Sequence, residues 1–98
     1  MNHLEQLVDE WLQYKGYFVR VSVPVGPRPK GGFEGELDVV ALNFNHKHLV
    51  HVECSLDADS WEHRSQKFGR KFERGRKYVR RVFEGLPLPE LLDQVIRL

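Results

Sequence analysis

Hydrophobic positions recur every three or four residues at the start of the chain and then switch to alternation. The helical spacing of Leu4, Val8 and Leu12 predicts an amphipathic helix over residues 2–14, and Gly16 is placed to end it. Three predicted strands follow: YFVRVSVPV at 17–25, ELDVVALNF at 36–44 and HLVHVECS at 48–55. The short NHK segment between the last two strands predicts an antiparallel hairpin.

The rest of the chain predicts one long loop and two more helices. GPRPKGGFEG (26–35) predicts a loop with exposed basic residues, because proline and glycine interrupt both strand and helix. Apolar spacing of three and four returns from Trp61 to Leu86, and the two glycines inside this helix mark either close packing or a break. PELLDQVIRL (89–98) predicts a short final helix. The predicted order is α-β-β-β-α-α, an α/β fold with a small mixed sheet flanked by helices.

Composition indicates one globular domain spanning 1–98. With 41% hydrophobic and 30% charged residues in 98, the chain resembles a soluble domain with a core of its own. A single cysteine excludes a disulfide framework and a cysteine-rich zinc site. Acidic residues within the first helix exclude a signal peptide, and no apolar run approaches the ~20 residues of a membrane span. We therefore expect a cytoplasmic protein without a membrane partner.

The net charge of +1 conceals a strong asymmetry along the chain. Residues 1–63 carry five basic and ten acidic residues, whereas residues 64–81 carry nine basic residues and one acidic residue. An acidic half joined to a basic helix suits a phosphodiester enzyme, with a metal ion at one end and phosphate at the other. A solvated helical face explains the same charges equally well.

Glu53 is the residue that an ordinary core strand would not contain. Its neighbours Val50, Val52 and Cys54 alternate as in a buried strand, and a buried carboxylate is costly without a partner. If the hairpin pairs around NHK, Asp38 lies on the neighbouring strand within reach of the same ion. Two such carboxylates predict a Mg²⁺ or Mn²⁺ site, with the Cys54 backbone carbonyl facing it. Strand alternation also predicts that Glu36, Asp38 and Val40 share one face, and that His51, Glu53 and Ser55 share another.

The motif GELDVVAL…HLVHVECS resembles the core of the PD-(D/E)XK nuclease superfamily. The resemblance implies a restriction-endonuclease-like αβββα core in which Asp38 and Glu53 are the two acids. EQLVDEWLQYKGYFV resembles the first helix and strand of archaeal Holliday-junction resolvases, where a helical acid precedes a glycine at the spacing of Glu5 and Gly16. By this resemblance Glu5 joins the metal ligands. A C-terminal strand is absent from the predicted order.

One position departs from the family pattern. The family lysine should stand two residues after Glu53, where this chain has Ser55. Some members of the superfamily recruit a lysine from the following helix instead. Lys67 and Lys71 are the candidates here. We favour Lys67, because it lies nearer the start of the helix, and Gln66 is a weaker candidate.

The resemblance implies a Mg²⁺- or Mn²⁺-dependent nuclease acting on duplex or branched DNA, and we expect a homodimer. The alternative is a catalytically inactive nuclease-like module that binds nucleic acid or a protein partner. The catalytic candidates are Glu5, Asp38, Glu53 and Lys67; the nucleic-acid-binding candidates are Arg64, Lys71, Arg74, Arg76, Lys77 and Arg80; accessory candidates are Glu36, Ser55, His51 and Gln66.

Structural explanations compete with several of these assignments. Glu53 could instead pair with an arginine of the basic helix, and Glu36 could be an exposed edge residue. His51 shares the face of Glu53, but a hydrogen-bonded strand histidine is the favoured reading. Cys54 points to the core and is expected to be inert.

Overall fold

A computed structural model of the chain describes residues 2–55 and 61–97, apart from the side chains of Trp61, Glu62 and Arg64. The described elements are α1 (His3–Tyr14), β1 (Phe18–Pro27), β2 (Phe33–Asn43), β3 (His48–Cys54), α2 (Trp61–Val82) and β4 (Leu92–Arg97). The strands form one sheet in chain order, antiparallel from β1 to β3 and parallel between β3 and β4. The predicted α/β class, the mixed sheet and the β2–β3 hairpin are confirmed.

Local hydrogen bonds close helix α1 at both ends. At its start, the Asn2 side chain accepts from the Glu5 amide (2.8 Å) and the Glu5 carboxylate accepts from the Asn2 amide (3.2 Å). At its end, Gly16 has a φ of 91°, and the amides of Gly16 and Tyr17 reach back to carbonyls of the last turn. Gly16 therefore ends the helix as predicted, because a residue without Cβ adopts this conformation at little cost.

The first hairpin is longer than the sequence predicts. β1 continues through Pro24 to Pro27 and β2 begins at Phe33, so only residues 28–32 connect the two strands. Pro24 is tolerated because β1 is an edge strand, with one side outside the hydrogen-bonded ladder. The loop predicted over residues 26–35 is therefore wrong in its extent.

Both strands of this hairpin change face at one point. Val21 and Val39 are cross-strand partners in the core beneath α1, whereas Val23 and Leu37 are partners in the core beneath α2. Ser22 stands between the two pairs, and its φ of 51° interrupts the alternation of a regular strand. The sheet therefore presents β1 and β2 to one helix before this point and to the other helix after it.

The face predicted for β2 is wrong as a result. Leu37, not Glu36, packs with Val40 in the core beneath α2, and Glu36 is exposed. The prediction assumed regular alternation, which β2 does not keep where it passes Ser22. Asp38 consequently lies at the point where the strand changes face.

Helix α2 covers the face of the sheet opposite α1 and runs unbroken through both of its glycines. It ends at Val82 rather than at the predicted Leu86. A Cβ at Gly75 would overlap the His51 ring, whereas one at Gly69 would meet nothing within 4 Å. Of the two meanings considered for these glycines, close packing applies at Gly75. Within residues 2–55 and 61–97, no helix has the length and apolar character to cross a membrane.

The terminal segment is a strand, so the predicted final helix is wrong. β4 pairs in parallel with β3, and α2 is the crossover between them. A short apolar run fits a helix and a buried strand almost equally well by periodicity alone. Pairing decides between them, because β4 satisfies the backbone groups along the open edge of β3 and adds Val95 to the core beneath α1.

Gly75 and Gly69 offer a matched pair of helix substitutions. We expect Gly75→Ala to lower the free energy of unfolding by about 1–3 kcal/mol, since the added methyl group overpacks the contact with His51. Gly69→Ala should raise it by about 1 kcal/mol, because alanine is the better helix former and has room there. Urea unfolding followed by circular dichroism measures both values. A Gly75→Ala protein as stable as the wild type would contradict the close packing.

Candidate active site

Asp38 and Glu53 face each other where the β2–β3 ladder ends. Val39 and Val52 are the last paired residues, so the register puts Asp38 directly opposite Glu53. Beyond that pair the side chains replace the ladder: the Asp38 amide donates to Glu53 Oε2 (3.1 Å), and the Cys54 amide donates to Asp38 Oδ2 (3.0 Å). The two carboxyl groups are close enough to share a hydrogen bond. The predicted proximity of these acids is confirmed.

The surroundings give the two acids unequal affinities for a proton. Asp38 is 8% exposed and Glu53 is fully buried. Burial raises the pKa of Asp38 to about 6, and its hydrogen bond with Glu53 adds to the rise. Burial also opposes charge on Glu53, but nearby His51, the Asp38 carboxyl and the Lys71 ammonium hold the pKa of Glu53 below its ordinary value. Below about pH 6 the pair therefore holds one proton, on Asp38.

A lysine from α2 approaches the pair. Lys71 Nζ lies 3.8 Å from Asp38 Oδ2, and the Lys71 side chain is 23% exposed. Lys67 is half-buried one turn earlier, and Gln66 beside it is exposed. The sequence favours Lys67 as the compensating cation; the structure describes an ion pair between Lys71 and Asp38. The roles of Lys67 and Gln66 stay predictions.

Glu5 lies near the pair and also has a structural task. Its carboxylate is buried and accepts the Asn2 amide at the start of α1. Burial raises the pKa of Glu5, as do the charges of Asp38 and of the exposed Glu36. Among residues 2–55 and 61–97, no three His, Cys, Asp or Glu side chains converge as a group that could hold a metal. Metal binding by Asp38, Glu53 and Glu5 stays a prediction.

His51 and Gln94 lie behind Glu53, on the side away from Asp38. His51 is fully buried, and its Nε2 lies 3.6 Å from Glu53 Oε1. Gln94 Nε2 lies 3.1 Å from His51 Nδ1, which confirms a hydrogen-bonded strand histidine. Sequence reasoning missed Gln94, because the predicted helix hid that β4 pairs Gln94 with His51. Nothing in the sequence signals Gln94 until that pairing is known.

Several basic residues of α2 make contacts within the fold. Arg74 lies across Gly35, where the absence of a side chain leaves room for the guanidinium. Arg80 donates to the backbone carbonyls of residues 89–90, ahead of β4. Both were predicted to bind nucleic acid; Arg74 packs α2 against β2, and Arg80 ties α2 to the segment before β4. Arg64, another of these predictions, lies outside the described side chains.

Two further residues that were predicted to bind nucleic acid, Arg76 and Lys77, are exposed but also make contacts within the fold. Arg76 donates to Gln94 Oε1 (3.1 Å). Lys77 Nζ lies 3.8 Å from Glu34 Oε2 and 5.1 Å from the centroid of the Tyr78 ring. Exposed contacts of this kind are weak, so they leave these side chains able to exchange partners. Nucleic-acid binding by the basic helix stays a prediction.

Cys54 and Ser55 finish β3. The Cys54 thiol is buried, and burial raises its pKa to about 12, which agrees with the expected inert role. Its observed contact with the acids runs through the amide, and ligation by its carbonyl stays a prediction. The Ser55 amide donates to the Arg97 carbonyl (2.9 Å), which ties the end of β3 to β4.

The face of the sheet that α1 covers carries a cavity of about 770 Å³ between α1 and β4. Apolar side chains of α1, β3 and β4 provide most of its lining, and neither acid of the pair lines it. At its edge His48 bridges the Tyr17 hydroxyl (2.5 Å) and the Asp93 carboxylate (3.0 Å). The chemistry-bearing groups around Asp38 are thus separate from this cavity.

Two carboxylates joined at a strand end, with a lysine beside them, can bind a hard cation together with an anionic substrate. Comparisons with models of protein families, with curated proteins and with solved structures find no match for this chain. What the site does must therefore be inferred from its own geometry.

The raised pKa of Asp38 predicts how stability depends on pH. An acid whose pKa is higher in the folded state stabilises the fold at low pH, and this stabilisation is lost as pH rises through the folded value. From pH 4.5 to 7.5, we expect the wild type to lose about 2 kcal/mol relative to Asp38→Asn, a mimic of the protonated acid. Urea unfolding across that range, without divalent cations, measures the difference.

Asp9→Asn is the matched control, because Asp9 is partly exposed on α1 and far along the chain from the pair. Its stability should run parallel to that of the wild type at every pH. If Asp38→Asn also runs parallel to the wild type, Asp38 does not hold the proton of the pair.

Proposed function

We propose that this chain is a metal-dependent nuclease that hydrolyses DNA phosphodiester bonds. The proposal is carried by the contact between Asp38 and Glu53 where the β2–β3 ladder ends, with Lys71 Nζ 3.8 Å from Asp38. Two acids at strand ends with a lysine beside them are the set implied by the resemblance to PD-(D/E)XK nucleases, although the lysine here comes from α2. A restriction-endonuclease-like core is part of the proposal, supported by β4, which supplies the C-terminal strand absent from the predicted order.

The donor set fits Mg²⁺ or Mn²⁺. Hard cations prefer carboxylate oxygens, and one or two carboxylates with water and substrate phosphate commonly complete a Mg²⁺ site. Asp38 and Glu53 would hold the ion, since their carboxyl groups meet where the β2–β3 ladder ends. When bound, such an ion lowers the pKa of water and offsets charge on the phosphate. Asp38 must first lose the proton that it holds below about pH 6.

Lys71 would act on the phosphate. During hydrolysis the water oxygen forms a bond to phosphorus, the bond from phosphorus to the deoxyribose oxygen breaks, and charge on the phosphate oxygens must be stabilised. The Lys71 ammonium beside Asp38 can stabilise this charge, in place of the strand lysine that is Ser55 here. We assign Lys71 the role of an orienting cation.

Exposed basic side chains would provide the remaining contacts with DNA. Arg28 and Lys30 are exposed at the tip of the first hairpin, and Arg70 is exposed on α2 next to Lys71. Such contacts with phosphate make affinity fall steeply with salt. A homodimer acting on duplex or branched DNA is part of the proposal.

The second candidate is a nuclease-like module that binds nucleic acid or a protein partner without cleaving. Two observations favour it: Ser55 has replaced the strand lysine, and Arg74 and Arg80 are committed to contacts within the fold. Under this alternative Asp38 and Glu53 would tie β2 to β3 and do no chemistry.

Cleavage of supercoiled, linear and branched DNA in Mg²⁺ and in Mn²⁺ separates the two candidates. We expect cleavage by the wild type, and a loss of about 100-fold or more in Asp38→Asn and in Glu53→Gln, since each removes an ionised ligand. Asp9→Asn is the control for an acid-to-amide change outside the site and should cleave normally. Salt-dependent binding with no cleavage in either metal would favour the inactive module.

Lys71 and Lys67 can be separated by the same assay. We expect Lys71→Met to slow cleavage by about 100-fold, because the charge that develops on phosphate loses its cation. Lys67→Met, one helical turn away, should slow it by less than about tenfold. Gel-shift titration should give both variants nearly the wild-type affinity for DNA. The opposite order of rates would return the role to Lys67, and normal cleavage by both would remove the helix lysine from the mechanism.

A further inference from the structure

The side-chain amide of Gln94 has its orientation fixed from two directions. Its Oε1 accepts a hydrogen bond from Arg76 Nη1 (3.1 Å), and a guanidinium can only donate. Its Nε2 lies 2.8 Å from the Phe72 carbonyl, which can only accept. Both contacts require the same assignment of oxygen and nitrogen. The amide nitrogen therefore faces His51.

This orientation determines which nitrogen of His51 carries the proton. Gln94 Nε2 lies 3.1 Å from His51 Nδ1, and an amide nitrogen can only donate. Nδ1 must then be the acceptor, because a proton on Nδ1 would set two donors against each other. The neutral His51 ring consequently carries its hydrogen on Nε2.

The Nε2–H group points towards the acid pair. Nε2 lies 3.6 Å from Glu53 Oε1, and both atoms are buried without another hydrogen-bond partner among the described residues. The distance is slightly long for a direct hydrogen bond, so the contact is electrostatic in this state. The Phe72 ring meets His51 edge-on, with centroids 5.8 Å apart, and Gly75 leaves the room that His51 needs.

We propose that Gln94 and His51 are positioning residues that form a relay to the metal site: Gln94 fixes the Nε2–H tautomer of His51, and this N–H orients the Glu53 carboxylate towards Asp38 for binding Mg²⁺ or Mn²⁺. The inference rests on the proposed function for its metal, whereas the tautomer follows from hydrogen bonds within the fold. Partners that orient a ligand from behind commonly change metal affinity by about 10- to 100-fold.

Gln94→Glu tests the relay at nearly constant size by turning the donor that faces His51 into an acceptor, and it also removes the hydrogen bond to the Phe72 carbonyl. A carboxylate at this position still accepts from Arg76, but it presents an acceptor to His51 Nδ1. The ring proton should move to Nδ1 and leave an acceptor facing Glu53 Oε1. Asn45→Asp makes the same amide-to-carboxylate change on an exposed turn and is the matched control.

The first measurement is ¹⁵N–¹H correlation NMR of the histidine rings at pH 7.5 without metal. We expect the protonated nitrogen of His51 to be Nε2 in the wild type and in Asn45→Asp, and to include Nδ1 in Gln94→Glu. A wild-type ring protonated on Nδ1 overturns the relay, even if every variant fails to fold. An unchanged tautomer in folded Gln94→Glu overturns it as well.

The second measurement is the shift in melting temperature on titration with Mg²⁺ and with Mn²⁺, which reports binding without any cleavage. Gln94→Glu should need about tenfold more of either ion than the wild type or Asn45→Asp for the same shift. If Gln94→Glu and the wild type need the same ion concentration for the same shift, the proposed link between Gln94 and the metal site is overturned. If the tautomer and the metal shifts are as expected but DNA stays intact, the relay stands and the nuclease proposal fails. If no ion shifts the wild type, the metal in both proposals fails and only the tautomer remains.

Discussion

Two buried carboxylates, Asp38 and Glu53, meet where β2 and β3 part, and the groups of the candidate site are arranged around this contact. Each backbone amide that the ladder leaves unpaired there donates to the opposite acid, at 3.1 Å and 3.0 Å, so the side chains continue the sheet. Burying two acids together is costly unless charge is neutralised. Below about pH 6 a proton on Asp38 contributes to that neutralisation, and the ammonium of Lys71 lies 3.8 Å from Asp38 Oδ2. Such a pair suits a cation that can displace the proton.

Two local features bring Asp38 to this point. Ser22 adopts a left-handed conformation within β1, and the β1–β2 hairpin changes from the core beneath α1 to the core beneath α2 at the same level. A polar residue at such a crossover need not be enclosed by either core. Strained backbone of this kind persists where the surroundings hold it in place, and it is common at functional sites. Here it leaves Asp38 within reach of groups from both helices.

Neighbouring residues of helix α2 pack against the sheet and place Lys71 beside the acid pair. Gly75 lets it approach β3 closely enough for Phe72 and the His51 ring to touch, and Lys71 stands one turn before Gly75. Its positive charges are divided: Arg74 packs over Gly35 and Arg80 donates to backbone carbonyls, whereas Arg70 is exposed. Some basic side chains of α2 therefore serve the fold itself. A count of the charges on the helix overstates the number of side chains that are available to bind phosphate.

The amino-acid pattern was enough to predict α1 with its Gly16 end, the β2–β3 hairpin, α2 and the proximity of Asp38 and Glu53. Those features depend on local periodicity, on capping residues, and on a short turn that allows only one pairing register between β2 and β3. Contacts in the folded chain were needed to show that residues 92–97 form a strand, that Lys71 pairs with Asp38, and that Gln94 lies against His51. Each of these contacts joins residues from separate elements, and a short apolar run has no fixed conformation until a neighbouring strand offers its backbone. The change of face at Ser22 could not be predicted for the same reason. Its neighbours Val21 and Val23 pack into two different cores, and these cores exist only in the folded chain.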